Sequence, residues 1–256
     1  MLIYIIYGLI IITANTIGAI SGMGGGVLIK PILDIVNYHS VAEIAFYSSL
    51  AVFTMSISST IKQLKNGLEI KWINALSLSF GALLGGYLGQ VLLELSLQFF
   101  SSDNQVKKIQ NIILIFSLLL ILLISRVNIH LNKKSHFLYF FSGLFLGIIS
   151  IFLAIGGGPI NVILLYSLFP LSLTQATSYS IISIFFSQFS KLISLTVSGE
   201  LLSFDFSFIY VIIPAAIFGG ILGASLSKKL SEKYLMIFFN LVVLAVILIN
   251  LFSLSQ

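Results

Sequence analysis

Ser21-Gly22-Met23-Gly24-Gly25-Gly26-Val27-Leu28-Ile29 and Ala154-Ile155-Gly156-Gly157-Gly158-Pro159-Ile160 are the two stretches whose reading decides the fold. Each places three consecutive glycines inside apolar sequence, and each is followed by an apolar run of only about ten residues, Val27–Val36 and Ile160–Phe169. Glycine costs about 1 kcal/mol against alanine in a helix interior. A helix broken in hydrocarbon also frees N–H and C=O groups that lipid cannot satisfy. Ten helical residues reach about 15 Å, roughly half a bilayer core. The triplets are therefore read as breaks after which a half-helix or re-entrant segment begins. Pro159 suits the first helical position, where its missing N–H costs little.

The chain around these breaks is built for lipid. Of 256 residues, 58% are hydrophobic and 8% charged, with a mean hydropathy of +1.12. Soluble domains carry about 25% charged residues, so a soluble globule is excluded, and disorder with it. Runs long enough to span are Leu2–Ile20, Val41–Ile61, Trp72–Leu93, Ile109–Ser125, Phe137–Ile155, Leu173–Val197, Phe204–Leu226 and Tyr234–Phe252. The expected fold class is all-α, a polytopic membrane bundle of about eight full helices plus two short half-helices. The first run lacks a basic lead and a small-residue cleavage site, and is read as a retained helix. The net charge of +5 sits in short loops, which speaks for membrane orientation and against nucleic acid. Absence of cysteine removes disulfides and thiolate chemistry.

An internal repeat organises the chain. At an offset of 132, Gly24-Gly25-Gly26 falls on Gly156-Gly157-Gly158, Ser40 on Ser172, Glu43 on Gln175, Ser48 on Ser180, Ser58 on Ser190 and Gly67 on Gly199. At 134, Gly85-Gly86-Tyr87-Leu88-Gly89 falls on Gly219-Gly220-Ile221-Leu222-Gly223. Residues 1–130 and 131–256 are read as two transmembrane repeats of one membrane domain. Basic residues concentrate in three loops: Lys62, Lys65 and Lys71; Arg126, Lys133 and Lys134; Lys228, Lys229 and Lys233. These loops share the cytoplasmic side only if each half crosses an odd number of times, which makes the repeat inverted; the alternative, eight crossings alone, gives a parallel repeat with a poorer charge asymmetry.

Breaks of this kind are the usual ligand sites of duplicated transporters. A helix N-terminus offers unpaired N–H groups and about half a positive charge, and glycine lets an oxyanion approach closely. The expected binding residues are Gly24, Gly25, Gly26, Gly156, Gly157, Gly158 and Pro159, with Ser48, Ser49, Ser178 and Asn161 as side-chain donors. The competing role for small membrane residues is helix packing, which is the reading given to Gly81, Gly85, Gly89, Gly219 and Gly223. Serine hydroxyls also commonly bond their own backbone. Lys30 and Asp34 stand at ion-pair spacing, with an interfacial position as the alternative for them and for Glu43. Lys191 either attracts an anion or snorkels. His39, His130 and His136 have no metal-ligand spacing, and no nucleophile–base pairing exists. No metal, cofactor or enzymatic activity is expected.

Gly22-x-Gly24-Gly25-Gly26 followed by Pro31, then Ala42, Ser48-Ser49-Leu50, Asn66-Gly67 before Ile70-Lys71-Trp72, and Gly81-x-x-x-Gly85-Gly86-x-x-Gly89 together resemble the TauE/SafE family of sulfite exporters. A weaker second copy runs through Gly156-Gly157-Gly158-Pro159, Thr177-Ser178, Ser198-Gly199 and Gly219-Gly220-x-x-Gly223. The resemblance implies a permease of the bacterial cytoplasmic membrane that moves sulfite or an organosulfonate by alternating access. The expected partners are that small anion and lipid, with a homo-oligomer and proton or sodium coupling left open. The alternatives are a permease for another small anion or solute, a polytopic enzyme acting on lipid, and an assembly subunit without transport.

Overall fold

The computed structural model describes residues 2–100, 102–127 and 131–254. Among them are ten α-helices: α1 Leu2–Ser21, α2 Gly26–Val36, α3 Val41–Lys65, α4 Trp72–Phe99, α5 Asp103–Val127, α6 His136–Phe152, α7 Pro159–Leu168, α8 Leu173–Val197, α9 Ile209–Ser227 and α10 Glu232–Leu254. Two 3-10 turns, Glu200–Ser203 and Phe206–Phe208, join α8 to α9. The boundary expected near residue 130 falls on residues outside those described, as does His130.

Among the described residues, seven helices are long and apolar enough to cross a membrane: α1, α3, α4, α5, α8, α10, and α9 together with the turn before it. The expected run Phe137–Ile155 corrects to a shorter helix. α6 has 17 residues and stops at Phe152, because Ala154 beyond it takes a left-handed conformation, φ 55°, that a helix cannot contain.

The sequence repeat has a local cause at the starts of α3 and α8. Ser40 and Glu43 form a capping box at the start of α3, and Ser172 and Gln175 form the same box at α8. Each serine oxygen accepts the third-residue N–H while the longer side chain accepts the cap N–H. Glu43 is therefore spent as a cap.

Contacts fix the direction of each helix. Lys191 reaches Ala45, Phe53 stacks on Phe185 and Phe189, and Gln63 and Asn66 share a cavity with Thr174 and Ser178. α3 and α8 are therefore antiparallel. α1 and α9 run alongside α3, since Tyr47 bonds the Asp205 carbonyl at one end and Asn66 the Ala224 carbonyl at the other. After α1 the chain turns back: α2 returns to the end where α1 began, so that His39 packs on Tyr7. In the same way α6 enters from the opposite end and α7 returns there, with Leu131 N–H bonding Ser167 and Tyr139 stacking on Phe169. Each half thus has one re-entrant hairpin and three through-helices, and the three lysine-bearing loops gather at one end. Asp34, Glu43, Glu94, Glu200 and Asp205 belong to elements at the other. These ends are called basic and acidic below.

The hairpins interlock the halves. α1 packs on α9 and α6 on α4 so closely that a Cβ on Gly219 would stand 2.8 Å from the Ile12 carbonyl, and one on Gly89 2.7 Å from that of Ile148. These glycines are the packing devices that the four-residue spacing predicts. Large apolar side chains such as Phe80, Phe116, Tyr210 and Leu248 point outward, while Ser56, Ser59, Ser180, Ser183 and Ser187 are buried on α3 and α8. Outward greasy and inward polar is the order expected when the solvent is lipid.

Candidate functional site

The two breaks meet at the centre of the bundle. A Cβ on Gly24 would lie 2.9 Å from the Gly156 carbonyl oxygen, and one on Gly157 2.9 Å from that of Met23. Val52 of α3 packs on Gly24 and Gly156, and Ile184 of α8 on Gly24 and Gly157. Val52 and Ile184 are equivalent at the offset of 132. The breaks therefore form a closed neck of backbone, flanked by one β-branched side chain from each half. Gly22, Gly24, Gly156 and Gly157 all have positive φ, 74°, 78°, 65° and 129°, which explains their glycine identity.

From this neck the half-helices leave in opposite directions, α2 toward the acidic end and α7 toward the basic end. Their first-turn N–H groups, at Gly26 and Val27 and at Ile160, lack intrahelical acceptors by construction. Pro159 occupies the first position of α7. Asn161 is buried in the same turn, its N–H bonded to the Gly158 carbonyl.

The predicted hydroxyls divide. Ser48 is fully buried, makes no hydrogen bond, and lies against Gly26, where an added Cβ would stand 2.8 Å from its Oγ. Its counterpart Ser180 donates to the Gly22 carbonyl at 2.6 Å. Ser49 donates to its own helix at Ala45, 2.6 Å, and Ser178 to Thr174, 3.0 Å. Ser178 lies away from the triplets and lines a cavity of about 240 Å³ at the basic end, with Gln63, Asn66, Thr174 and Lys228. Lys30 and Asp34 form the buried ion pair their spacing allows, 2.7 Å apart and each side chain 2% exposed.

Three features escaped the sequence. Asn15 of α1 sits against Gly25, its amide nitrogen on the Ala51 carbonyl and its oxygen unpartnered. Gln188 is buried with both amide atoms unpartnered. Each end also carries a tyrosine latch. At the acidic end Tyr47 donates to the Asp205 carbonyl at 3.0 Å, with Tyr7 edge-on 6.4 Å away. At the basic end Tyr179 accepts from Lys71 N–H at 2.9 Å and donates to its carbonyl at 3.2 Å, with Tyr139 6.1 Å away. Tyr7 and Tyr139, and Tyr47 and Tyr179, are pairs at the offset of 132; the spacing was readable, but the backbone partners were not.

The acidic latch includes His39, which bonds Tyr7 through Nδ1 and packs on Tyr47 and Phe208. Burial lowers the His39 pKa from 6.5, against opposing pulls from Glu43 and Asp205. Hydrogen bonds from the Ser207 N–H and hydroxyl hold the Asp205 carboxyl below its ordinary range. Among the described residues no cluster of three metal-ligating side chains occurs.

A multi-pass helical membrane protein with two re-entrant hairpins meeting tip to tip is the class these observations define. The family model of the sulfite exporter TauE/SafE matches residues 7–250, and the chain belongs to that family, whose members are membrane transporters. No curated protein and no solved structure matches it significantly.

Proposed function

We propose that this chain moves a small sulfur oxyanion, sulfite or an organosulfonate, across the bacterial cytoplasmic membrane by alternating access. The observation that carries this reading is the start of α2 at the bundle centre, with the unpartnered Ser48 hydroxyl against Gly26. Two N–H groups, a hydroxyl and the positive end of a helix are an oxyanion's complement. In the arrangement described the neck is shut, because the triplets pack on each other. Parting the halves uncovers the start of α2 on one route and that of α7 on the other. The paired latches support this, since alternation requires a separate closure at each end. The basic end faces the cytoplasm by the distribution of lysine.

The test is a stability and flux screen of purified protein against sulfite, thiosulfate, sulfoacetate, sulfate and nitrate. A ligand at a hundred times its Kd stabilises by about 2.7 kcal/mol, so sulfur oxyanions should raise Tm and cross proteoliposome membranes. A flat screen with no flux for any of them refutes the proposal.

A further inference from the structure

Three charged side chains are buried among the described residues: Lys30, Asp34 and Lys191. The first two answer each other, and Lys107 approaches the second Asp34 oxygen at 3.7 Å. Lys191 is different. It lies under two turns before the end of α8 (Leu173–Val197), 1% exposed, and its ammonium donates to the Ala45 carbonyl of α3 at 3.0 Å. No carboxylate among the described residues stands within ion-pair distance. Glu94 of α4 is the acidic group that bears on it electrostatically, and Gln90 Nε2 holds that carboxylate at 2.7 Å. A lysine near a helix end ordinarily reaches outward for the interface; this one is buried and turned onto a neighbouring helix.

Buried donors stand one turn away on both helices. Ser48 follows Ala45 by one helical turn, which puts the two on one face of α3, and the Ser48 hydroxyl lies against Gly26 at the start of α2. Gln188 precedes Lys191 by one turn of α8, fully buried with its amide unpartnered. The counterpart of Lys191 at the offset of 132 is Ser59, so the charge exists in one half only.

We propose that Lys191 binds the transported anion, its ammonium exchanging the Ala45 carbonyl for an oxyanion that also takes donors from Ser48, Gln188 and the first turn of α2. One ammonium and one helix terminus, worth about half a charge, match a monoanion. The site therefore selects a sulfonate or hydrogen sulfite over dianionic sulfate. This rests on the oxyanion reading above and sharpens it.

The experiment measures binding of methanesulfonate, sulfite and sulfate to detergent-purified wild type and Lys191→Met by calorimetry, with the ligand-free Tm as a parallel readout. Loss of one charge-assisted contact is expected to raise the methanesulfonate Kd by about tenfold or more. The ligand-free Tm should hold or rise, because methionine removes a charge from an oily interior. Ser48→Ala and Gln188→Leu, which leave the lysine in place, should each raise Kd about threefold to tenfold. Unchanged methanesulfonate affinity in Lys191→Met overturns the proposal, and so does wild type that prefers sulfate. Should Lys191→Met fail to fold, unchanged affinity in both flanking variants overturns it instead. Wild type that neither binds nor moves any sulfur oxyanion removes the functional reading and this proposal together. Wild type that does so alongside an equally active Lys191→Met removes only this one.

Discussion

The tyrosine latches make opposite predictions for the two ends of the molecule. Tyr47→Phe keeps the ring against Tyr7 and Phe208 and deletes one hydrogen bond to the Asp205 carbonyl. That carbonyl belongs to an exposed residue and can turn to water, so the loss falls near the lower part of the usual range, about 0.5–1 kcal/mol. Opening of the acidic end should then become about two to five times more populated. Tyr179→Phe deletes two bonds, to the N–H and the carbonyl of Lys71, and should favour the basic-end opening by about five- to thirtyfold. The native chain has no cysteine, so a single cysteine at Ser48 reports access without background. Impermeant thiol reagent applied at the acidic end should label Ser48→Cys about two to five times faster with Tyr47→Phe, and more slowly than in the parent with Tyr179→Phe. Equal rates in all three backgrounds, or shifts in one direction for both tyrosines, would refute the latch argument.

Other outcomes follow from the same geometry. Gly156→Ala places a Cβ 2.9 Å from Val52 at a φ of 65°, a left-handed strain of about 1–2 kcal/mol before any clash. Flux should be lost and Tm lowered in detergent while the protein still inserts; full activity would show that the neck is not part of the route. Ser172→Ala removes the cap of α8 and should cost about 1 kcal/mol, read as a lower Tm, whereas no change would mean that the cap is redundant. For His39, burial lowers the folded pKa below 6.5, so the unfolded chain binds the proton first. Its contribution is complete above pH 6.5 and is lost progressively as pH falls below it. The groups facing it are Tyr7 of α1, Glu43 and Tyr47 of α3, and Tyr38 and Asp205 in the loops. Acidification should therefore lower Tm less in His39→Phe than in wild type; identical pH profiles would contradict this.

The breaks and the parity of the crossings were legible. Three glycines have few uses in lipid, and lysine placement asks for an odd number of crossings per half; Ser40 with Glu43 and Ser172 with Gln175 stood out only as matched positions of the repeat, and their capping boxes came from the structure. What stayed hidden were the inward faces. Lipid and a helix neighbour are both apolar, so periodicity could not separate Ser48, which faces the neck, from Ser49 and Ser178, which spend their hydroxyls on their own helices. For Lys191 the sequence allows snorkelling and anion attraction equally, and the inward turn of its ammonium onto the Ala45 carbonyl is visible only in three dimensions. The latches escaped because their acceptors are main-chain groups of Lys71 and Asp205, which carry no residue signature.

Three through-helices per half mean that a tandem copy cannot enter the bilayer the same way up as its twin. The scaffold consequently presents each compartment with the same arrangement of hairpin and through-helices, inverted. Whatever polarity the protein possesses must live in the places where the twins disagree: Lys191 opposite Ser59, a free Ser48 opposite a tethered Ser180, and Ala154 standing where its twin has Gly22.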